Sequence, residues 1–265
     1  MQFSRNFLFG SSKPSAPRGH RAYAVGDIHG RLDLLDDLLA RIEADARGRR
    51  QLKTTIVFLG DLIDRGPDSR GVIERLRTYR PDFAKTAFIL GNHEEVMLRV
   101  IAGEAKLLQQ WLRFGGAECL VSYGLDPATL KDRSEREAAA IIERQVPASH
   151  LEFLRSFADT VSFGSYFFVH AGIRPGTSLA EQSESDLRWI REPFLADERD
   201  HGSVIVHGHT ITQKVDVCAN RIGIDTGGYR TGVLTALGLE STRQWFLQTE
   251  GENVAASSSA RVAHG

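Results

Sequence analysis

Tyr23-Ala24-Val25-Gly26-Asp27, Thr55-Ile56-Val57-Phe58-Leu59-Gly60-Asp61 and Ala87-Phe88-Ile89-Leu90-Gly91-Asn92 repeat one pattern: a short apolar run, a glycine, then a polar residue. Two amphipathic segments separate the runs, one over about Leu32 to Ala46 and one over about Ser69 to Tyr79. Short β-branched or aromatic runs alternating with helical patterns predict consecutive βαβ units. In such sheets, sites form beyond the carboxyl ends of the strands, so three similar strand exits nominate one shared site.

Outward from these runs the pattern changes. From Glu94 to about Phe157 it is mostly helical, and it then turns strand-rich at Tyr166 to Val169, Val204 to Val206, Val215 to Cys218, Ile222 to Asp225, Val233 to Leu239 and Gln244 to Gln248. The expected class is α/β, with two packed mixed sheets flanked by helices. The expected organisation is a loose lead-in over 1–19, one domain over 20–250 with a helical insertion at about 104–157, and a frayed tail over 251–265.

The composition narrows the function classes. Lys plus Arg is 33 against 34 Asp plus Glu, which removes the broad electrostatic case for nucleic acid or an anionic membrane as partner. Cys119 and Cys218 are too few for a disulfide framework and lack metal-site spacing. No apolar run approaches a membrane span, and the Phe7-Leu8-Phe9 cluster is too short for a signal peptide, so a reduced, cytoplasmic protein is expected.

The residues able to do chemistry cluster at the strand exits. In Gly26-Asp27-Ile28-His29-Gly30, a carboxylate and an imidazole two residues apart project to one side of an extended backbone and can reach one ion. A polar loop between strand and helix is the plainer account. Gly60-Asp61-Leu62-Ile63-Asp64-Arg65-Gly66-Pro67 puts Asp61 where Asp27 stands after the first strand, and Asp64 with Arg65 could equally be a surface pair of little worth. Gly91-Asn92-His93-Glu94 offers an amide oxygen and a histidine at a helix start, or simply an Asn-capped helix. His170 and His209 follow later strands in Val169-His170-Ala171-Gly172 and His207-Gly208-His209-Thr210. His207 suits packing or support of a neighbour, while His20, His150, His201 and His264 read as ordinary histidines.

Jointly, Asp27, His29, Asp61, Asn92, His170 and His209 form a donor set of oxygen and imidazole without thiolate, suited to Mn, Fe or Zn. Six ligands exceed the four of a structural zinc site. They match two ions about 3.5–4 Å apart that share a bridging carboxylate, a clamp for phosphoester hydrolysis.

This order of motifs resembles the phosphoprotein phosphatase family of calcineurin-like metallophosphoesterases, over about residues 20 to 240. The length is similar to that of the compact bacterial and phage serine/threonine phosphatases. The resemblance implies that Asp27 and His29 hold the first metal, that Asp61 bridges, and that Asn92, His170 and His209 hold the second, with manganese first among the candidate ions. The wider superfamily often has a further histidine two residues after the last motif histidine, on the first metal; here that position is Ile211. His93 would be the general acid, oriented by Asp64. A helix N-terminus disfavours imidazolium and a carboxylate favours it, so His93 is expected to titrate near neutrality. Arg65 would grip the phosphoryl group, and a second arginine would come from Arg188-Trp189-Ile190-Arg191, with Arg191 preferred to Arg188. The implied reaction is direct attack of a metal-activated hydroxide on a phosphomonoester of a phosphorylated protein or peptide. A rival of the same fold is the symmetrical dinucleoside tetraphosphate hydrolase, which usually has Gly-Asn-His-Asp at the third motif and lacks the Asp-Arg pair; Glu94 and Asp64-Arg65 argue against it. A catalytically silent phosphopeptide-binding module would need a lost ligand or acid, and no motif position is missing.

Overall fold

The strand alternation predicted from the sequence sorts side chains between two apolar layers. In the computed structural model, which describes residues 13–251 (only the backbone at Ala105), strands β1 (His20–Val25), β2 (Lys53–Phe58) and β3 (Ala84–Phe88) run parallel. Tyr23, Val25, Ile56 and Phe58 face the helices, whereas Ala22, Ala24 and Val57 face a second sheet, as the two-residue side-chain period requires. Helices α1 (Leu32–Gly48) and α2 (Ser69–Thr78) cover the outer side with Leu35, Leu38, Ile42, Val72, Ile73 and Leu76. Their bounds lie within two residues of the sequence reading.

After α3 (Asn92–Ile101) come α4 (Leu108–Trp111), α5 (Ala117–Ser122), α6 (Glu135–Gln145) and α7 (Ala148–Arg155). This helical stretch is not peripheral: Trp111, Leu120, Tyr123, Ile142 and Leu154 join the same apolar cluster as α1 and α2.

The second sheet contains β4 (Thr160–Phe163), β5 (Tyr166–Val169), β6 (Val204–His207), β7 (Asp216–Val217) and β8 (Arg221–Gly223), in the order β4-β5-β6-β8-β7. Helix α8 (Glu184–Trp189) lies between β5 and β6 in the chain, and α9 (Gly228–Thr231) follows β8. The chain then returns to the first sheet as β9 (Thr235–Glu240) and β10 (Arg243–Gln248), giving the order β10-β9-β1-β2-β3. Tyr166, Phe168, Val206 and Ile222 of the second sheet meet Ala22, Ala24, Leu237 and Leu239 of the first in one buried layer.

Three readings change. Strand β4 was not foreseen: it is a four-residue edge strand paired only with β5, too short to announce a period. Strand β8 ends at Gly223, so Ile224 and Asp225 lie beyond it in a loop. The lead-in was expected to be loose, yet the Ala16 N–H donates to the Ser241 carbonyl (2.7 Å), the Ser165 N–H donates to the Ser15 carbonyl (2.9 Å), and Ala16 is buried. A small apolar residue seated between two β-turns ties that segment down. Residues 1–12 and 252–265 lie outside the described residues, and with them His264 and nearly all of the expected tail.

Candidate metal centre and active site

The exits of β1 and β2 are joined by backbone hydrogen bonds. The N–H groups of Ile28 and His29 both donate to the Asp61 carbonyl (3.0 and 2.9 Å), and the Gly30 N–H donates to Leu62 (2.8 Å). A Cβ on Gly91 would lie 2.3 Å from the Asp61 nitrogen, so only glycine lets the third exit close on the second. His29, Asp61, Asp64, Arg65 and His209 all have positive φ, from 47° to 73°. For residues other than glycine this conformation costs of order 1–3 kcal/mol each, a strain that surrounding structure must impose and that concentrates at functional sites.

The six candidate ligands are all buried and meet at these exits. The two oxygens of Asp61 face opposite ways: Oδ2 lies 3.6 Å from His29 Nε2, and Oδ1 lies 3.4 Å from His170 Nε2. Potential ligand atoms of His29, Asp61 and His93 form one close group, and those of Asp61, His170 and His209 form another. His29 Nδ1 donates to the Ile63 carbonyl (2.8 Å) and His170 Nδ1 donates to the Leu59 carbonyl (2.9 Å). Because a carbonyl only accepts, both rings turn Nε2 toward Asp61, the arrangement that backbone partners impose on metal-bound histidines. Asn92 does not cap α3, whose cap position is Gly91; its Oδ1 lies 2.9 Å from both His170 Nε2 and His209 Nδ1. The His209 N–H donates to both Asp27 oxygens (3.2 and 3.1 Å), while His209 Nε2 is buried and has no hydrogen-bond partner among the described residues.

Electrostatics point the same way. Burial lifts Asp27 well above the usual carboxylate range, and Asp225 and Asp61 add to the effect. Burial opposes ionisation of Asp61 too, but His170, His93 and His29 outweigh it and hold its pKa well below that range. Burial drives His29 and His209 down to about 3, so both are neutral and able to offer a lone pair. Buried like charges and an orphaned imidazole nitrogen are costly unless a cation joins them. The residues therefore fit divalent cations.

His93 lies next to this cluster. Its Nδ1 donates to Asp64 Oδ2 (2.6 Å), which also accepts from Trp111 Nε1 (2.9 Å). Burial opposes the imidazolium, but Asp61 and the Asp64 hydrogen bond prevail and raise His93 to about 9, above the near-neutral expectation. The reason is a second carboxylate, Asp61, which sequence spacing does not reveal as a neighbour of the ring. Arg65 Nη2 lies 3.1 Å from His93 Nε2 and can donate to it only in the neutral ring, so the contact gives way when that nitrogen carries a proton. The Arg65 guanidinium also stacks 4.8 Å above the Tyr229 ring.

A cavity of about 240 Å³ opens over Asp61, Asn92, His93 and His209, with Arg65 and Arg191 on its wall beside Val96, Leu107, Phe114 and Trp189. Arg188 points elsewhere: it bonds Asp159 (2.6 and 2.9 Å) and lies 3.2 Å from Glu184.

The sequence profile of the calcineurin-like phosphoesterase family matches residues 20–251. The chain belongs to that family. Among relatives of this phosphoesterase, the symmetrical bis(5'-nucleosyl)-tetraphosphatase of Dechloromonas aromatica is 28% identical over 84% of this chain and 94% of its own. Serine/threonine-protein phosphatase 1 of Salmonella typhimurium is 30% identical over 83% and 92%. The crystal structure of a cold-active protein-tyrosine phosphatase from a Shewanella species shares the fold, with a TM-score of 0.53 at 17% identity over 88% of this chain and 83% of the other.

Several residues of the phosphoesterase site were not legible as such. Glu94 had served only to separate subfamilies; its carboxylate accepts from the N–H groups of Asp61 (2.9 Å), Leu62 (2.7 Å), Ile63 (3.2 Å) and Gly91 (3.1 Å), holding the Asp61 loop against α3. Replacing it with glutamine puts an amide NH₂ against backbone donors. Glu94→Gln is expected to destabilise the fold by about 1.5–3 kcal/mol, the worth of hydrogen bonds to a charged group, as read by urea denaturation. Gly115, at φ +113°, accepts from the Arg65 N–H (3.1 Å), and a Cβ there would lie 2.5 Å from that nitrogen. Among the other histidines, His207 packs on Phe194 (5.1 Å between rings), and His150 pairs with Tyr123 (2.9 Å) and Glu74 (2.9 Å).

Proposed function

We propose that this chain is a phosphomonoesterase with two divalent cations that acts on phosphorylated proteins or peptides, phosphoserine and phosphothreonine first. The observation that carries the reading is Asp61, with one oxygen toward each histidine group, next to the His93–Asp64 pair at 2.6 Å. Two cations, manganese first among the candidates, held by Asp27, His29 and Asp61 and by Asp61, Asn92, His170 and His209, would supply Lewis acidity and lower the pKa of water. Arg65 and Arg191 hold the phosphoryl oxygens from the cavity wall. His93, fixed in tautomer by Asp64, delivers its Nε2 proton to the leaving oxygen. With cations held at Asp61, its hold on the His93 proton would weaken and the pKa of the ring would come back toward the neutral range.

A symmetrical dinucleoside tetraphosphate is the second candidate substrate, favoured by the name of the Dechloromonas relative at 28% identity. Manganese-dependent phosphate release from phosphoserine, phosphothreonine and phosphotyrosine peptides, set against cleavage of a dinucleoside tetraphosphate, tests the proposal. A kcat/KM that is higher for the dinucleotide than for every peptide would reject it.

Within this reading Arg191→Ala weakens inhibition by free phosphate and lowers kcat/KM, whereas Arg188→Ala leaves both within about threefold because its charge is already satisfied by carboxylates. Arg191→Lys restores only part of the loss, since the ammonium keeps the charge without the fork. Phosphate inhibition constants for the three variants decide it.

A further inference from the structure

Beyond β8, Asp225 is buried at 2% exposure in the same cluster of strand exits. Its Oδ1 accepts from the Gly227 N–H at 2.9 Å; among the described residues its carboxylate has no other hydrogen-bond partner and no ion pair. The loop places it between two landmarks. A Cβ on Gly26 would lie 2.7 Å from the Ile224 carbonyl oxygen, so the residues that follow each, Asp27 and Asp225, stand side by side. On the other flank the Thr212 N–H donates to the Asp225 carbonyl (3.0 Å), and a Cβ on Gly227 would lie 3.0 Å from Ile211 Cγ2. Asp225 thus sits against the position where the wider superfamily often carries a further imidazole and this chain carries Ile211. Asp27 and Asp61 both lie within electrostatic reach of the Asp225 carboxylate. A buried carboxylate beside two others, with no cationic partner bound to it, is costly unless it takes up a proton or a cation joins the set.

We propose that Asp225 is a ligand of the first cation, directly or through one water, and fills the corner that Ile211 leaves without a donor. The inference rests on the metal-centre reading above. Asp225→Asn keeps an acceptor for the Gly227 N–H and removes only the charge; Asp225→Ser, which offers a hydroxyl acceptor on a shorter side chain, serves should the asparagine variant fold poorly.

Calorimetric titration of chelator-treated protein with Mn²⁺ should show two ions in the wild type. In the variant one of them should bind about 10–100-fold more weakly, the range for loss of a supporting ligand, with the other unchanged. Thermal unfolding supplies a second readout. In EDTA the variant should melt at or above the wild-type temperature, because a buried repulsion is gone, and with Mn²⁺ it should melt below it. Unchanged affinity for both ions, or equal destabilisation with and without Mn²⁺, overturns the proposal and leaves Asp225 a loop-forming residue. A wild type that takes up fewer than two Mn²⁺ overturns the dinuclear reading itself, and this proposal with it.

Discussion

His93→Ala is expected to lower kcat on an alkyl phosphoester such as a phosphoserine peptide by roughly 10²–10⁴-fold, the span of general acid–base catalysis. The ring is buried, its Nδ1 is committed to Asp64 at 2.6 Å, and Nε2 faces the cavity over Asp61. An alkoxide leaves poorly without a proton, so removing the acid forfeits its full contribution. Nitrophenolate leaves as a stable anion, and the loss on nitrophenyl phosphate should be smaller by at least tenfold. Asp64→Asn tests the same pair from the other side. His93 Nδ1 and Trp111 Nε1 both donate to Asp64 Oδ2 (2.6 and 2.9 Å), so an asparagine can keep both bonds on its carbonyl oxygen and removes only the charge that supports the imidazolium. Equal losses on the two substrates would assign His93 a purely structural task.

Chelation followed by dialysis is expected to abolish turnover, and Mn²⁺ to restore it. Cationic charge at a phosphoryl centre contributes several kcal/mol, which at about 1.4 kcal/mol per decade is roughly 10³-fold or more in rate. Asp61→Asn should impair both ions because each of its oxygens serves a different histidine group, Oδ2 toward His29 and Oδ1 toward His170. His209→Ala removes one donor from the second group alone and should leave the first ion in place. Metal content by elemental analysis, measured alongside kcat, separates the cases. A stoichiometry of one ion in the wild type, or an Asp61→Asn variant that still binds two, contradicts the shared-carboxylate arrangement.

What the sequence determined by itself follows from local rules. Apolar runs ending in Gly26-Asp27, Gly60-Asp61 and Gly91-Asn92 marked three strand exits, because a chain leaving a sheet must turn, and glycine permits close approach there. Helices α1 and α2 were legible in the spacing of Leu35, Leu38 and Ile42 and of Val72, Ile73 and Leu76, which is the helical period. The ligand candidates were legible as polar side chains at those exits, and the fold brings all six into one buried cluster. Tertiary structure decided the rest, since pairing across the chain leaves no periodic trace. Trp111, 47 residues from Asp64, turns its indole onto that carboxylate because α4 packs into the core against α3. Sequence could not show that Asp159 and Glu184 engage Arg188 whereas Arg191 lines the cavity wall. Asp225 looked like the last residue of a strand. The strand ends two residues earlier, and that shift turns an ordinary strand position into a buried carboxylate beside Asp27.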